Sequence, residues 1–122
     1  MPNVAVVGAS LDRAKFGNKA VRAYLKQGYE VFPVNPRESR IEGLQVYRSV
    51  LDIPVPLDRV TVYLPAPKTA RVLEDIAKKA PKELFLNPGT ESEEVIKRAG
   101  ELGLKPILAC SIVAVGESPG AL

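Results

Sequence analysis

Val4-Ala5-Val6-Val7-Gly8-Ala9-Ser10, followed shortly by Phe16-Gly17-Asn18, is the stretch that decides how this chain is read. Four consecutive apolar residues have the length of a strand buried on both faces, as parallel strands are. Small residues then turn the chain. Beyond them the apolar positions Ala20, Val21, Tyr24 and Leu25 recur at helical spacing over residues 17–27, with Gly28 placed as a C-terminal stop. A small-residue turn between a buried strand and a helix start makes an anion site. The first backbone N–H groups of a helix lack partners, and the helix dipole favours negative charge there. A phosphate-bearing ligand is the first expectation.

The same strand-then-helix pattern repeats outward from this unit. Tyr29-Glu30-Val31-Phe32-Pro33-Val34 reads as a second strand that ends at Asn35-Pro36, and Val60-Thr61-Val62-Tyr63-Leu64 as a third. Pro65-Ala66-Pro67 forms a stiff turn into a helix over residues 68–80, with Ala70, Leu73, Ile76, Ala77 and Ala80 on its inward face. Leu84-Phe85-Leu86 is the fourth strand. Thr90 and Glu93 have capping-box spacing at the start of a third helix, whose stripe is Val95, Ile96, Ala99 and Leu102 and whose stop is Gly103. Pro106-Ile107-Leu108-Ala109 is the fifth strand. Residues 44–47 suit a short extra strand, residues 48–52 a helical turn, and residues 111–122 an apolar tail with little pattern. Strands alternating with helices predict a single α/β domain over residues 1–122. It is expected to be Rossmann-like and doubly wound, with a mainly parallel five-stranded sheet and helices on both faces.

Composition narrows the function. The 122 residues are 46% hydrophobic and 25% charged, with a net charge of +3. The basic residues are dispersed and only Tyr and Phe supply aromatics, so no nucleic-acid surface is expected. No apolar stretch reaches the ~20 residues that span a bilayer. Met1-Pro2-Asn3 leads directly into the first strand without a charged leader, and a cytoplasmic, membrane-free protein is expected. Histidine is absent, which excludes His-based triads and His-ligated metals, and no catalytic or metal-binding residue is assigned. The single cysteine, Cys110, forms no internal disulfide. It reads either as a packing residue or as a thiol near a ligand.

In a doubly wound sheet, ligands lie beyond the carboxyl ends of the strands. The segments predicted there are residues 8–18, 35–40, 65–69, 87–90 and 110–111. The first is no dinucleotide fingerprint, because the next glycine after Gly8 is Gly17. It does carry Ser10, Arg13 and Lys15, a hydroxyl and two cations. The alternative is that Gly8 only relieves crowding. The end of the second strand offers Asn35-Pro36-Arg37 and then Arg40, where NAD-binding domains place an acid. Cations there suit a phosphorylated ribose, that of NADP or of coenzyme A; an ordinary polar turn is the other reading.

Gly8-Ala9-Ser10, the run from Gly28 to Pro36 and Tyr63-Leu64-Pro65-Ala66-Pro67 together resemble the stand-alone CoA-binding domain family. They are also similar to the N-terminal CoA-binding domain of the succinyl-CoA synthetase alpha subunit. The resemblance implies a Rossmann-like fold binding CoA at the carboxyl edge of the sheet. It implies Gly8, Ala9 and Ser10 on the ADP phosphates; the helix start, Phe16, Gly17 and Asn18, is expected to join them, and Lys15 stands with Arg37 and Arg40 as a candidate for the 3′-phosphate. Val34, Asn35 and Pro36 would line adenine and ribose, and Arg37 or Arg40 would meet the 3′-phosphate. Leu64, Pro65, Ala66 and Pro67 would flank the adenine or the pantetheine, and Asn87, Pro88 and Gly89 the pantetheine arm. Leu108-Ala109-Cys110-Ser111 departs from the charged pair that many relatives carry before this cysteine. The expected function is non-catalytic binding of CoA or an acyl-CoA, with no catalysis assigned to this chain alone. An NADP-binding reductase fragment, a CoA-binding subunit of an acyl-CoA ligase completed by a partner chain, and a CoA sensor remain the alternatives. A protein partner or a homo-oligomer stays open.

Overall fold

A computed structural model describes all of Met1–Leu122. The chain runs through β1 (Asn3–Val7), α1 (Phe16–Lys26), β2 (Glu30–Val34), β3 (Arg40–Ile41), β4 (Leu44–Gln45), a 3-10 turn at Val50–Asp52 and β5 (Arg59–Val62). It continues through α2 (Ala66–Lys79), β6 (Glu83–Leu86), α3 (Glu93–Glu101), β7 (Ile107–Leu108), α4 (Ser111–Ala114) and a 3-10 turn at Pro119–Ala121. No helix is long and apolar enough to cross a membrane.

The expected doubly wound sheet is present. Five strands lie in the order β2-β1-β5-β6-β7, and every neighbouring pair is parallel. The chain moves outward from β1 to β2, then crosses back to β5. The strand order therefore reverses between β1 and β5, where the loops that follow them part to opposite faces and open a crevice. Burial follows the strand period of two. Val4 and Val6 pack with Ala20, Val21 and Tyr24 of α1, whereas Ala5 and Val7 pack with Leu73 and Ile76 of α2 and Val95 and Ala99 of α3. Pro33 sits inside β2 without breaking the sheet. β2 is an edge strand, and the Pro33 carbonyl turns outward to accept the Tyr47 N–H at 2.9 Å, so the missing amide would not have bonded β1.

Several expectations are corrected. Residues 44–47 are the second half of a hairpin: β3 and β4 pair antiparallel around Glu42 and Gly43, both at positive φ (50° and 77°). Tyr47 alone bridges Val34. α2 starts at Ala66, two residues before the expected start, because Pro65 caps it and proline is tolerated in a first helical turn. Its last predicted inward residue, Ala80, is instead an exposed left-handed stop at φ 53°. Leu25 and Ile96 face solvent at 39% and 41% exposure, so the buried stripes are narrower than the periodicity implied. Ser92, not Thr90, caps α3: its hydroxyl accepts the Val95 N–H at 3.1 Å. The fifth strand is two residues long. The tail is ordered, with Ile112 of α4 fully buried against the α1 face. Burying one such side chain contributes about 1.5–3 kcal/mol.

Candidate functional site

The crevice between β1 and β5 widens into a cleft of about 450 Å³ at the carboxyl edge of the sheet. Gly8, Ser10, Lys15, Phe16 and Gly17 form one wall, Tyr63, Leu64 and Pro65 the floor. Asn87, Pro88, Gly89, Thr90 and Cys110 form the opposite wall, and Pro119 returns from the tail to its rim. Ten of the residues expected from sequence thus meet in one place.

The first wall is built on two glycines. Gly8 has φ +88°, and a Cβ there would lie 3.0 Å from the Tyr63 carbonyl carbon. A Cβ on Gly17 would lie 2.2 Å from the Gly8 carbonyl oxygen, inside any allowed contact. The start of α1 is therefore seated directly on the end of β1. The Gly8 and Ala9 N–H groups are already spent on the Val34 carbonyl, at 3.1 and 3.3 Å. Neither amide is left free for a phosphate, and Ala9 is moreover buried, at 1% exposure. The available donors lie further along. Lys15 is the N-cap residue and supplies no side-chain cap, so the Phe16 and Gly17 amides find no acceptor within the chain. The Ser10 hydroxyl accepts the Asp12 N–H at 3.0 Å and keeps its proton to donate.

The remaining expected residues surround the cleft rather than line it. Asn18 is buried and holds the loop in shape. Its amide donates to the Ser10 carbonyl at 2.9 Å and to Glu42 Oε2 at 3.1 Å, while its oxygen accepts from Arg22 Nε at 2.7 Å. Glu42, at the hairpin tip, also pairs with Arg13 at 2.6 Å, which takes that cation away from the cleft. Asn35 donates to the Ala9 carbonyl at 2.9 Å and accepts from the Arg37 amide at 2.8 Å, tying the end of β2 to the loop. Val34 packs in the core at 6% exposure. Pro36 and Arg37 are exposed just beyond β2, and Arg40 on β3 reaches only the Gly43 carbonyl, at 3.5 Å. Ala66 and Pro67 belong to the first turn of α2.

The opposite wall is held by a buried network that sequence reasoning missed. Asn87 donates to Thr61 Oγ1 at 2.7 Å and to the Val62 carbonyl at 2.8 Å, and its oxygen accepts the Ser111 N–H at 2.8 Å. The Thr61 and Ser111 hydroxyls lie 2.7 Å apart, and the Tyr63 hydroxyl lies 3.1 Å from Ser111 Oγ. Thr90 donates to the Asn87 carbonyl at 2.7 Å, which fixes the Pro88-Gly89 turn and explains why it does not cap α3. Burial pushes the Tyr63 phenol up to about 12, so it is protonated at any neutral pH. Cys110, next to this network, is a half-buried free thiol that both lines the cleft and packs against the core on the α1 face. The available signal was Thr61 and Tyr63, two polar positions two apart in an otherwise apolar central strand.

Comparison with known proteins places these features among relatives. A family model described as "CoA binding domain" matches residues 2–116. The chain is 32% identical to the alpha subunit of acetate–CoA ligase (ADP-forming) I of Pyrococcus furiosus, over 98% of this chain but 29% of that protein. A conserved hypothetical protein of the same organism superposes with a TM-score of 0.85 at 34% identity, covering 93% of this chain and 99% of that one. The dinucleotide forming acetyl-coenzyme A synthetase 1 of Candidatus Korarchaeum cryptofilum, solved with phosphate and ADP, superposes with a TM-score of 0.77 at 30% identity, covering 88% of this chain and 25% of that one. The chain thus spans less than a third of the ligases that it matches.

Proposed function

The chain belongs to the CoA-binding domain family, and from that premise we propose that the cleft holds coenzyme A with its pyrophosphate against the start of α1. The observation that carries this placement is the pair of unpartnered amides on Phe16 and Gly17, beside the Ser10 hydroxyl and the Lys15 ammonium. Backbone donors, dipole and cation converge there on one anion. Adenine and ribose then lie toward the end of β2, near Asn35, Pro36 and Leu64, where exposed Arg37 and Arg40 supply cations for the 3′-phosphate. The pantetheine arm runs the other way, over Leu64 and Pro65 toward Asn87, Pro88 and Gly89.

The chain acts as a binding module for CoA or an acyl-CoA, and the free cysteine suits a reducing compartment, the cytoplasm. No catalytic step is assigned to this chain. The likeness to a ligase alpha subunit supports a second reading, in which a partner chain completes an acyl-CoA ligase around this module.

Calorimetry with CoA, dephospho-CoA and NADPH tests the assignment. CoA binds, and dephospho-CoA binds roughly 10- to 150-fold more weakly, since a charge-assisted contact contributes about 1.5–3 kcal/mol. Replacing whichever of Arg37 and Arg40 meets the 3′-phosphate by Ala erases most of that gap. Binding of NADPH without CoA overturns the reading.

A further inference from the structure

Counting protons in the wall network gives its hydroxyls a direction. The Asn87 amide is oriented by the Ser111 N–H and the Val62 carbonyl, so its nitrogen donates to Thr61 Oγ1. Thr61 has one proton, and the nearest oxygen to take it is Ser111 Oγ, 2.7 Å away, with the Tyr63 hydroxyl beyond it. Ser111 therefore accepts from Thr61. Its own proton must go elsewhere, because Ser111 is fully buried and an unmade hydrogen bond there is costly. The acceptor within reach is the Tyr63 oxygen at 3.1 Å. Tyr63 thus receives a hydrogen bond from inside the fold, and its phenol proton is left with no acceptor among these side chains.

Tyr63 and its neighbour Cys110 both line the cleft, together with Leu64, Pro65, Asn87 and Thr90. None of these side chains is cationic. The only cation on the cleft lining is Lys15, on the other wall. Nothing beside Tyr63 compensates a negative charge, so a neutral acceptor suits it better than the phosphates at the start of α1.

We propose that Tyr63 is a hydrogen-bond donor aimed into the cleft by Ser111, and that it reads a carbonyl oxygen of the pantetheine arm. The proposal rests on the CoA placement argued above. Tyr63 is a contact residue in it, and Ser111 a positioning residue that acts through Tyr63. Because the phenol stays protonated up to about 12, the donor is present at any neutral pH.

The test is calorimetry of Tyr63→Phe and Ser111→Ala with two ligands, CoA and adenosine 3′-phosphate 5′-diphosphate, which keeps every phosphate-side contact but lacks the arm. Tyr63→Phe weakens CoA about 2- to 13-fold and leaves the truncated ligand unchanged. Ser111→Ala weakens CoA in the same arm-dependent way, and Tyr63→Phe costs less in the Ser111→Ala background than in the wild type. Equal losses for both ligands, or none for CoA, overturn the proposal while leaving CoA binding intact. Failure of the wild type to bind either ligand overturns the CoA placement and the proposal with it. Should Tyr63→Phe fail to fold, 3-fluorotyrosine placed at position 63 gives a second readout. Its fluorine resonance moves with CoA and not with the truncated ligand, and the reverse pattern overturns the proposal.

Discussion

The two walls of the cleft solve the same problem, presenting donors to a ligand, by opposite means. The α1 wall does it with backbone: two glycines let a helix start sit on a strand end, and two amides are left unpaired beside an exposed ammonium. Its donors are charged or dipolar, and they line the open cleft. The Asn87 wall, with Tyr63 on the floor beside it and Ser111 buried behind, does it with side chains. Every donor but one is consumed inside a buried chain of hydrogen bonds. The first wall is organised by close approach of backbone, the second by satisfaction of polar groups away from water. Packing changes should therefore break the first, loss of a polar group the second, and salt should tell them apart.

The largest effect is expected at the seat of α1. A methyl group on Gly17 would meet the Gly8 carbonyl oxygen at 2.2 Å, and that carbonyl belongs to backbone fixed by β1 and by the bond from Gly8 to Val34. Overpacking typically costs about 1–3 kcal/mol and more where backbone cannot yield, so Gly17→Ala should lose about 3 kcal/mol or more and most CoA binding. Gly100, near the end of α3 with nothing within 4 Å of its Cβ position, is the control. Gly100→Ala should gain up to about 1 kcal/mol from helix propensity. Urea midpoints measure both, and a wild-type midpoint for Gly17→Ala would mean that α1 does not sit on Gly8. The same geometry makes Gly8→Val a test of folding more than of phosphate contact, since Gly8 also needs a positive φ and lies against Tyr63.

The walls also differ in how far the sequence reveals them. Val4-Ala5-Val6-Val7 followed by Gly8 shows a buried strand and a turn locally, because the residues that make the seat are close in sequence. Sheet class and order of elements follow from such local runs, and the ten cleft residues from those runs together with the family resemblance. The opposite wall joins Thr61, Asn87 and Ser111, which are 24 to 50 residues apart, and no local pattern records that their polar atoms meet. Two-residue strands carry too little periodicity to be seen, so of the hairpin that pairs Arg40 with Gln45 only the second half, residues 44–47, reads as a strand. Its tip, Glu42-Gly43, matters to the site because Glu42 takes up Arg13 and Asn18. Asn18 and Asn35 were expected at a ligand for their residue type and place. Both hold the loop in shape, one at Ser10 and the other at Ala9.

The next effect falls on the polar wall. Asn87→Ala removes one side chain that serves three partners, and the Ser111 amide and Thr61 hydroxyl lose theirs in a buried site. A buried group left unsatisfied costs about 1–3 kcal/mol, so the variant should lose about 2–3 kcal/mol of stability. Double-mutant cycles with Ser111→Ala should be strongly non-additive, because both residues belong to one network. Additive losses would mean that the two residues act separately, and the contrast drawn between the walls would fail on that side.

The smallest effect separates the walls by their charge. Lys15 lines the cleft but is otherwise exposed, and no salt bridge holds it. Removing it by Lys15→Ala leaves the fold alone, since the residue supplies no cap to α1. What is lost is a charge-assisted contact to the pyrophosphate. Such contacts contribute about 1.5–3 kcal/mol, but a solvated ammonium gives the low end, so CoA should bind about tenfold more weakly. The loss should shrink as salt is raised, because at ~1 M the screening length is about 3 Å, close to the contact distance itself. The loss caused by Tyr63→Phe should not shrink, because neither of its partners carries charge. Titrating CoA into both variants at low and high salt reads the two walls in one experiment. Parallel salt dependence in the two variants would place the phosphates over both walls and dissolve the distinction between them.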